Sequence, residues 1–424
     1  MADIRPFPAL HYNPAKVPDL SAVVTQPYDK VTPNMRKDYL ARHPNNFIRL
    51  ILPEGQDPYA TSFQTCQEWL KQGILLRDNQ PAFYILEEEF LIDGIRMKRK
   101  GFIAAIRVEE FEKGTVLPHE FTHFGPKRDR LALLRATKKD YEQIFFLYPD
   151  EKGEVENLLS TTETPDMEAV DEFGVNHRLW RVTSPERTRA LSKAMADRVV
   201  LIADGHHRYE TALTYRQEME KKEDVPDNAA LRFKTAAFFK ITDPGLVILP
   251  THRLLKDITL KPEDALKKLK ELFTIQEVSD ERAKEELKNH RQEHAFILYY
   301  GKGKSYLLIL KQKEGLERFF PKNRSPEYRE LDVALLHALI IENVFGIKPD
   351  QVEGRVLYER YWQDTCARVD NGEANCALFL NPTRPEQVQA LAAKSERMPQ
   401  KSTDFYPKLI SGLVFMDVSE DQFL

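Results

Sequence analysis

Short apolar runs and amphipathic stretches alternate along the whole chain. From Val23, VVTQPYDKVTPNMRKDYLARHPNNFIRLILPEG predicts strand, turn, short helix, turn, strand. YATSFQTCQEWLKQGILLRD has helical spacing, with Phe63, Trp69 and Leu70 on its apolar side. AFYILEEEFLIDGIRMKRKGFIAAIRVEEF reads as two strands around Asp93-Gly94, a pair suited to a tight hairpin. RDRLALLRATKKDYEQIFFLY predicts a helix leading into a buried strand. The acidic segment from Asp150 to Asp171 reads as a surface excursion, and PERTRALSKAMADR as a helix. VVLIA (199–203) is a short continuous apolar run, the signature of a strand buried on both faces. FKTAAFFKI and LVILP follow as strands after a charged break.

From about Leu254 the texture changes. Helix, strand, helix and hairpin follow in PEDALKKLKELF, TIQEVS, DERAKEELKNHRQEH and AFILYYGKGKSYLLILK. A long helix, YRELDVALLHALIIENVFG, comes next, then the strand NCALFLNPT, another helix and a tail. The expected class is α/β with a mixed α+β sheet. The expected domains are 1–255 and a C-terminal α+β domain over 256–424.

Length and charge narrow the picture. At 424 residues the chain is long enough for two or three domains. A net charge of −4 gives no bulk attraction to nucleic acid or anionic lipid, and no helix-turn-helix pattern is present. The start MADIRPFPALHYNP has neither the basic opening nor the apolar core of a signal peptide, and no run reaches ~20 apolar residues. Cys66, Cys366 and Cys376 form no C-x-x-C pair. The cytoplasm is the expected compartment, with no nucleic-acid or membrane partner. The oligomeric state stays open.

The most informative stretch is ADGHHRYETAL (203–213), where a strand runs through glycine into a helix. Such a junction gathers uncapped backbone N–H groups and the positive helix end, which suits an anion. Arg208 offers a planar fork for phosphate oxygens, and His206 and His207 can donate hydrogen bonds or move protons. Asp204 can hold Mg²⁺ or orient an imidazole, and Gly205 lets the backbone approach a ligand. The competing reading is an Asp-Gly turn with surface histidines.

His119-Glu120-Phe121-Thr122-His123 formally matches H-E-x-x-H, the zinc-protease helix. Pro118 before it and Gly125-Pro126 behind it leave under two turns, so no tetrahedral zinc is expected there. The segment reads instead as a loop carrying Glu120 as a general base. Lys127 and Arg130 on the next helix are candidate anion contacts, against a plain solvated helix start. Thr251, His252 and Arg253 repeat the strand-end logic, against an ordinary polar cluster. Lys401, with Ser402, Thr403 and Lys408 nearby, suits either a phosphate-touching loop or a proline-braced turn. No G-x-x-x-x-G-K-[ST] and no G-x-G-x-x-G occurs, which argues against P-loop and Rossmann nucleotide sites.

Taken together, QPYDKVTP, HPNNFIRLILPE, HEFTHFGPKRDRL, ADGHHRYETAL, LPTHRLL and MPQKSTDFYPK resemble a prokaryotic family known as domain of unknown function 1015. The resemblance spans essentially the whole chain. Within it, DGHHR resembles the motif of the ParB/sulfiredoxin superfamily, especially its free-serine kinases, which phosphorylate L-serine from ADP or ATP. That resemblance implies an N-terminal ParB/sulfiredoxin-like domain whose Asp204, Gly205, His206, His207 and Arg208 handle phosphate. It also implies a glutamate that takes the hydroxyl proton. No position matches that glutamate by motif, and Glu120 is named from its setting.

The expected function is phosphoryl transfer between a nucleotide, ADP or ATP, and a small hydroxyl compound, with free serine first. Gly205, His207, Arg208, Lys127 and Arg130, with Thr251, His252, Arg253 and Lys401, form the candidate phosphate and substrate set. Asp204 would hold Mg²⁺, and Glu120 or His206 would take the proton. The alternatives are a phosphoserine phosphatase or other metal-assisted hydrolase, and a nucleotide-binding regulator without catalysis.

Overall fold

The computed structural model describes every residue except Met1, Phe121, Thr122, His123, Glu163 and Glu223, and only the backbone of residues 124–126. The class is mixed α/β. The chain divides into two compact units: Met1–Pro118, Thr122–Val247 and Pro407–Leu424 form one, and His119–Phe121 and Ile248–Tyr406 the other. A single boundary after residue 255 was expected; here the last eighteen or so residues rejoin the first unit.

The first unit is built on a nine-stranded sheet among the described residues. Its order is Val116–Leu117, Val200–Asp204, Ile144–Tyr148, Phe233–Lys240, Ile95–Arg107, Phe83–Ile92, Asn176–Val182, Met167–Val170, with Ile4–Arg5 paired to Ile95–Arg107. Val200–Asp204 runs parallel to Val116–Leu117 and antiparallel to Ile144–Tyr148, so it is interior, as its unbroken apolar run predicts. The Asp93-Gly94 hairpin forms with both residues at positive φ, 47° and 78°. Phe102, Phe146 and Phe238 stack across three neighbouring strands, at centroid distances of 5.0 and 5.4 Å. The helix Phe124–Thr137 packs between Pro58–Lys71 and His206–Glu220.

Several expectations change in this unit. FIRLI is a short helix, Ile48–Ile51, where a strand was expected. A short apolar run fits either state, and here Asn46 decides it. Its Oδ1 accepts from the Ile48 N–H at 3.0 Å while its Nδ2 donates to the Ala22 carbonyl. On the helix Pro58–Lys71 the buried face is Ser62, Cys66 and Trp69, and Phe63 is 40% exposed. The acidic segment is more anchored than a surface excursion. Asp150 accepts from the amides of Val155 and Glu156 and pairs with Arg198, and Val155 and Leu159 are buried.

The second unit has a six-stranded antiparallel sheet in the order Phe273–Val278, Ser305–Leu310, Ala295–Tyr299, Cys376–Leu380, His252–Leu255, Val356–Glu359. Helices Pro262–Leu272 and Asp280–Asn289 and the hairpin follow the sequence expectation. The long helix expected from Tyr328 is broken into Pro326–Arg329 and Asp332–Leu335, followed by a wider-wound turn over Leu336–Glu342. Alternation along His252–Leu255 sends His252 and Leu254 to the core face. The His252 ring lies 4.7 Å from Phe379 and 5.7 Å from Trp362.

Two tests follow from packing. A Cβ at Gly101 would sit 2.1 Å from the Phe238 carbonyl oxygen, across the pairing of two central strands. Gly101→Ala should therefore cost about 1–3 kcal/mol, read as a lower urea midpoint; an unchanged midpoint would show that the strands separate without penalty. Burial, with the Arg253 charge second, pushes His252 down to about 3 from 6.5. The unfolded chain then binds more protons between those values, so this contribution is complete above about 6.5 and is lost as pH falls toward 3. His252→Phe should flatten the acid limb of thermal stability between pH 7 and pH 4.5, whereas an identical limb in the variant would place the acid sensitivity elsewhere.

Candidate anion site at a strand-to-helix turn

The strand Val200–Asp204 ends at a register shift between Ile202 and Asp204, and the helix His206–Glu220 begins two residues later. Gly205 between them has φ 96°, a left-handed conformation that side chains resist. A Cβ there would also meet the Arg208 guanidinium at 3.0–3.1 Å. Glycine is thus required by the backbone and by the arginine folded back over it. Gly205, at the N-cap, has no side chain of its own to cap the helix, and the first-turn N–H groups have no acceptor within the helix.

Asp204 is the negative centre. Its Oδ2 lies 3.5 Å from Arg208 Nη2 and 3.6 Å from Lys408 Nζ. Burial alone would raise its pKa, but Lys408 first, then Arg208, Lys30 and His206, hold the carboxyl well below the usual range. It is an anion at any physiological pH. Arg208 is buried and donates to the Gln143 carbonyl. Burial pulls its guanidinium down, yet Asp204, Glu142 and Asp29 raise it above its ordinary value.

Further cations lie on the same unit. Arg130 donates to the Ile51 carbonyl at 2.7 Å, pairs with Asp129 and stacks over the Tyr28 ring at 4.3 Å. Lys127 is paired with Glu210. Glu142 accepts from the Tyr28 amide at 3.0 Å and from Ser411 Oγ at 3.2 Å. A cavity of about 50 Å³, room for a few waters, is lined by Arg208, Arg130, Glu142, Lys234, Asp140 and Lys139 together with apolar side chains. Lys234 is buried and donates to Asp140 and to the Glu142 carbonyl. Burial outweighs these acceptors and holds its ammonium below the ordinary lysine range.

The remaining candidates belong to the second unit. Glu120 Oε1 accepts from the Ser402 amide at 3.1 Å, with the Thr403 amide and hydroxyl at 3.4 and 3.3 Å. His119 is fully buried and its Nε2 bonds Thr403 Oγ1 at 2.8 Å; His123 lies outside the described residues. Arg253 is buried and donates to backbone carbonyls of Thr251, Gln400 and Lys401. With no carboxylate bonded to it, burial pushes its guanidinium down to about 10. Lys401 holds a positive φ of 55° and contributes its carbonyl to Arg253. Asp204, Gly205, His206, His207, Arg208, Lys127 and Arg130 are in the first unit, and Glu120, Thr251, His252, Arg253 and Lys401 in the second.

Sequence reasoning missed Lys30, Asp29, Glu142 and Lys234, and it left Lys408 between a phosphate-touching loop and a proline-braced turn. QPYDK and FYPKL carried the signal, since each sets a lysine within a few residues of a proline. As for metals, the described residues contain no group of three or more His, Cys, Asp or Glu suited to an ion. One carboxylate, Asp204, fits Mg²⁺ arriving with phosphates, because that ion takes most of its shell from water and phosphate oxygens. No helix among the described residues is long and apolar enough to cross a membrane.

Comparison with curated proteins gives no match. Among solved structures, the chain is similar to a conserved hypothetical protein from Pyrococcus furiosus, at 16% identity and a TM-score of 0.35, covering 73% of this chain and 94% of that one. It is similar to a free serine kinase in complex with AMP at 16% identity and a TM-score of 0.36, covering 73% and 90%. SbnI with a C-terminal truncation, from Staphylococcus aureus, aligns at 11% identity and a TM-score of 0.37, covering 76% and 90%. The family model described as "Protein of unknown function (DUF1015)" matches residues 4–334. With more than three quarters of its length matched, the chain belongs to that family.

Proposed function

We propose that the protein is a phosphotransferase that moves a phosphoryl group from ADP or ATP to the hydroxyl of a small compound, with L-serine the first candidate. The observation that carries this reading is the turn itself. A helix start, a left-handed glycine and the cations Arg208 and Lys408 meet around Asp204 at one strand end. Phosphoryl transfer asks mainly for positioning and charge neutralisation, and this turn supplies both.

In the proposed reaction the bond from phosphorus to the leaving nucleotide oxygen breaks as the bond to the substrate hydroxyl forms. The hydroxyl proton needs an acceptor. Of the two named from the sequence, His206 is on the turn, while the Glu120 carboxylate already accepts from Ser402 and Thr403; His206 is therefore given the role. Gly205 N–H, His207 and Arg208 would bind the transferring group. Lys127 and Arg130, paired with Glu210 and Asp129, would shape the surrounding field. Mg²⁺, when bound, would neutralise phosphate charge, with Asp204 as its protein ligand. Serine as the acceptor is what the DGHHR resemblance implies.

Turnover of ADP and ATP with L-serine, followed by phosphorus NMR, tests the reading. Arg208→Lys keeps charge but loses the planar fork, and should lower kcat/KM on the order of tenfold to a thousandfold. His206→Gln should lower turnover while sparing nucleotide binding, because it removes a proton acceptor and not a phosphate contact. A loss confined to Glu120→Gln would move the proton to that carboxylate. Phosphoserine hydrolysis without nucleotide would replace the kinase by a hydrolase. Nucleotide binding with no turnover on any hydroxyl compound would leave a regulator.

A further inference from the structure

Beneath the turn, a line of charged side chains is buried in the same unit with no evident reason in packing alone. Arg99 is 0% exposed and lies between the rings of Phe145 and Phe239, at 4.6 and 4.7 Å. Its Nε donates to Glu88 Oε2 at 2.5 Å, and Glu88 is also fully buried. Glu88 Oε1 is 3.3 Å from His177 Nδ1, within ion-pair distance though not aligned as a hydrogen bond. His177 Nε2 is 3.3 Å from Asp171 Oδ2, which accepts from Gln26 Nε2 at 3.2 Å. At the other end, Arg99 Nη2 donates to the Pro407 carbonyl at 2.7 Å.

Hydrophobic residues in these places would hold the sheet as well or better, since buried ion pairs rarely add net stability. Geometry is what such a line supplies. Its two ends are the segments that bring cations to Asp204. Lys408 directly follows Pro407, and Lys30 is four residues past Gln26. A proline has no N–H, so at position 407 the carbonyl is the only backbone handle, and Arg99 takes it. The same two segments also meet where Thr25 and Ser411 exchange backbone hydrogen bonds of 3.0 and 2.8 Å.

We propose that the buried line Gln26–Asp171–His177–Glu88–Arg99–Pro407 is a positioning device, which fixes the 26–30 and 407–408 segments so that Lys30 and Lys408 stand at Asp204. Arg99 touches no reacting group and acts through Lys408. Burial pulls His177 down, while Asp171 and Glu88 raise it above its ordinary value; a protonated His177 makes the line neutral overall.

Two readouts test this, and only the second rests on the anion-site reading above. The first follows backbone hydrogen exchange by mass spectrometry in the full-length protein at the 25–30 and 408–411 segments, where Thr25 and Ser411 exchange backbone hydrogen bonds. Exchange there should be slow in the wild type and about tenfold faster in Arg99→Met and Gln26→Leu, with the rest of the sheet unchanged. The second is ADP binding by calorimetry. Arg99→Met and Lys408→Met should each weaken it about tenfold, and the double variant should match Lys408→Met within about twofold, because the two act as one. Gln26→Leu exchanges a neutral side chain and carries the test if Arg99→Met does not fold. Unchanged exchange at both segments in folded variants, or losses that multiply in the double variant, would overturn the proposal. A wild type that binds no ADP while the two segments loosen as described would remove the anion-site reading and leave the positioning device standing.

Discussion

A carboxylate taken out of water must find cations or take up a proton, and at Asp204 the cations come from three separate stretches of chain. Arg208 arrives from one helical turn further on, Lys408 from the returning C-terminal segment, and Lys30 from the proline-rich N-terminal segment. The Asp204 side chain is 24% exposed, and each of these stretches brings a cation to it. The strand end, the helix start and two distant loops therefore meet at one negative charge. The glycine between strand and helix belongs to the same arrangement, since its φ of 96° strains any side chain and a Cβ there would crowd the Arg208 guanidinium.

The two units handle buried cations differently. In the first, Arg208, Lys234 and Arg99 each have a carboxylate, and what distinguishes them is how fully burial is compensated. Arg208 is raised above its ordinary value and Lys234 is held below it, although both are buried. In the second, Arg253 donates to three backbone carbonyls and to His337 Nε2, acceptors that take its N–H groups without a carboxylate charge, and its guanidinium falls to about 10. Such ligation suits a cation that braces the 400–401 backbone.

The fold was legible where periodicity was long or continuous. The Asp93-Gly94 hairpin, the interior strand ahead of Asp204 and the helices of the second unit all follow from apolar spacing and turn chemistry. FIRLI was not, because its helical state depends on Asn46 bonding across to Ala22, a contact no local pattern encodes. His252 shows the same limit from the other side. A histidine at a strand end reads as a ligand, yet strand alternation puts it against Phe379 and Trp362. The turn 204–208 was visible because its residues are adjacent in sequence. Lys30 and Glu142 were not, since what makes them significant is a partner about 60 to 170 residues away.

The needs of the turn explain three of its five distinctive residues. Asp204 and Arg208 pair, and Gly205 gives them room. The two histidines need a different reason. His206 lends positive charge to Asp204 only when protonated, and a lysine would do so at every pH. Its ring is largely buried, so it is not there for solubility. What imidazole offers and lysine does not is a proton that can be given up and regained near neutral pH. A group of that kind, at the start of a helix and beside an ionised carboxylate, is suited to chemistry in which a proton moves. That is why the proposed reaction puts the proton on His206 and leaves charge neutralisation to Arg208 and Lys408.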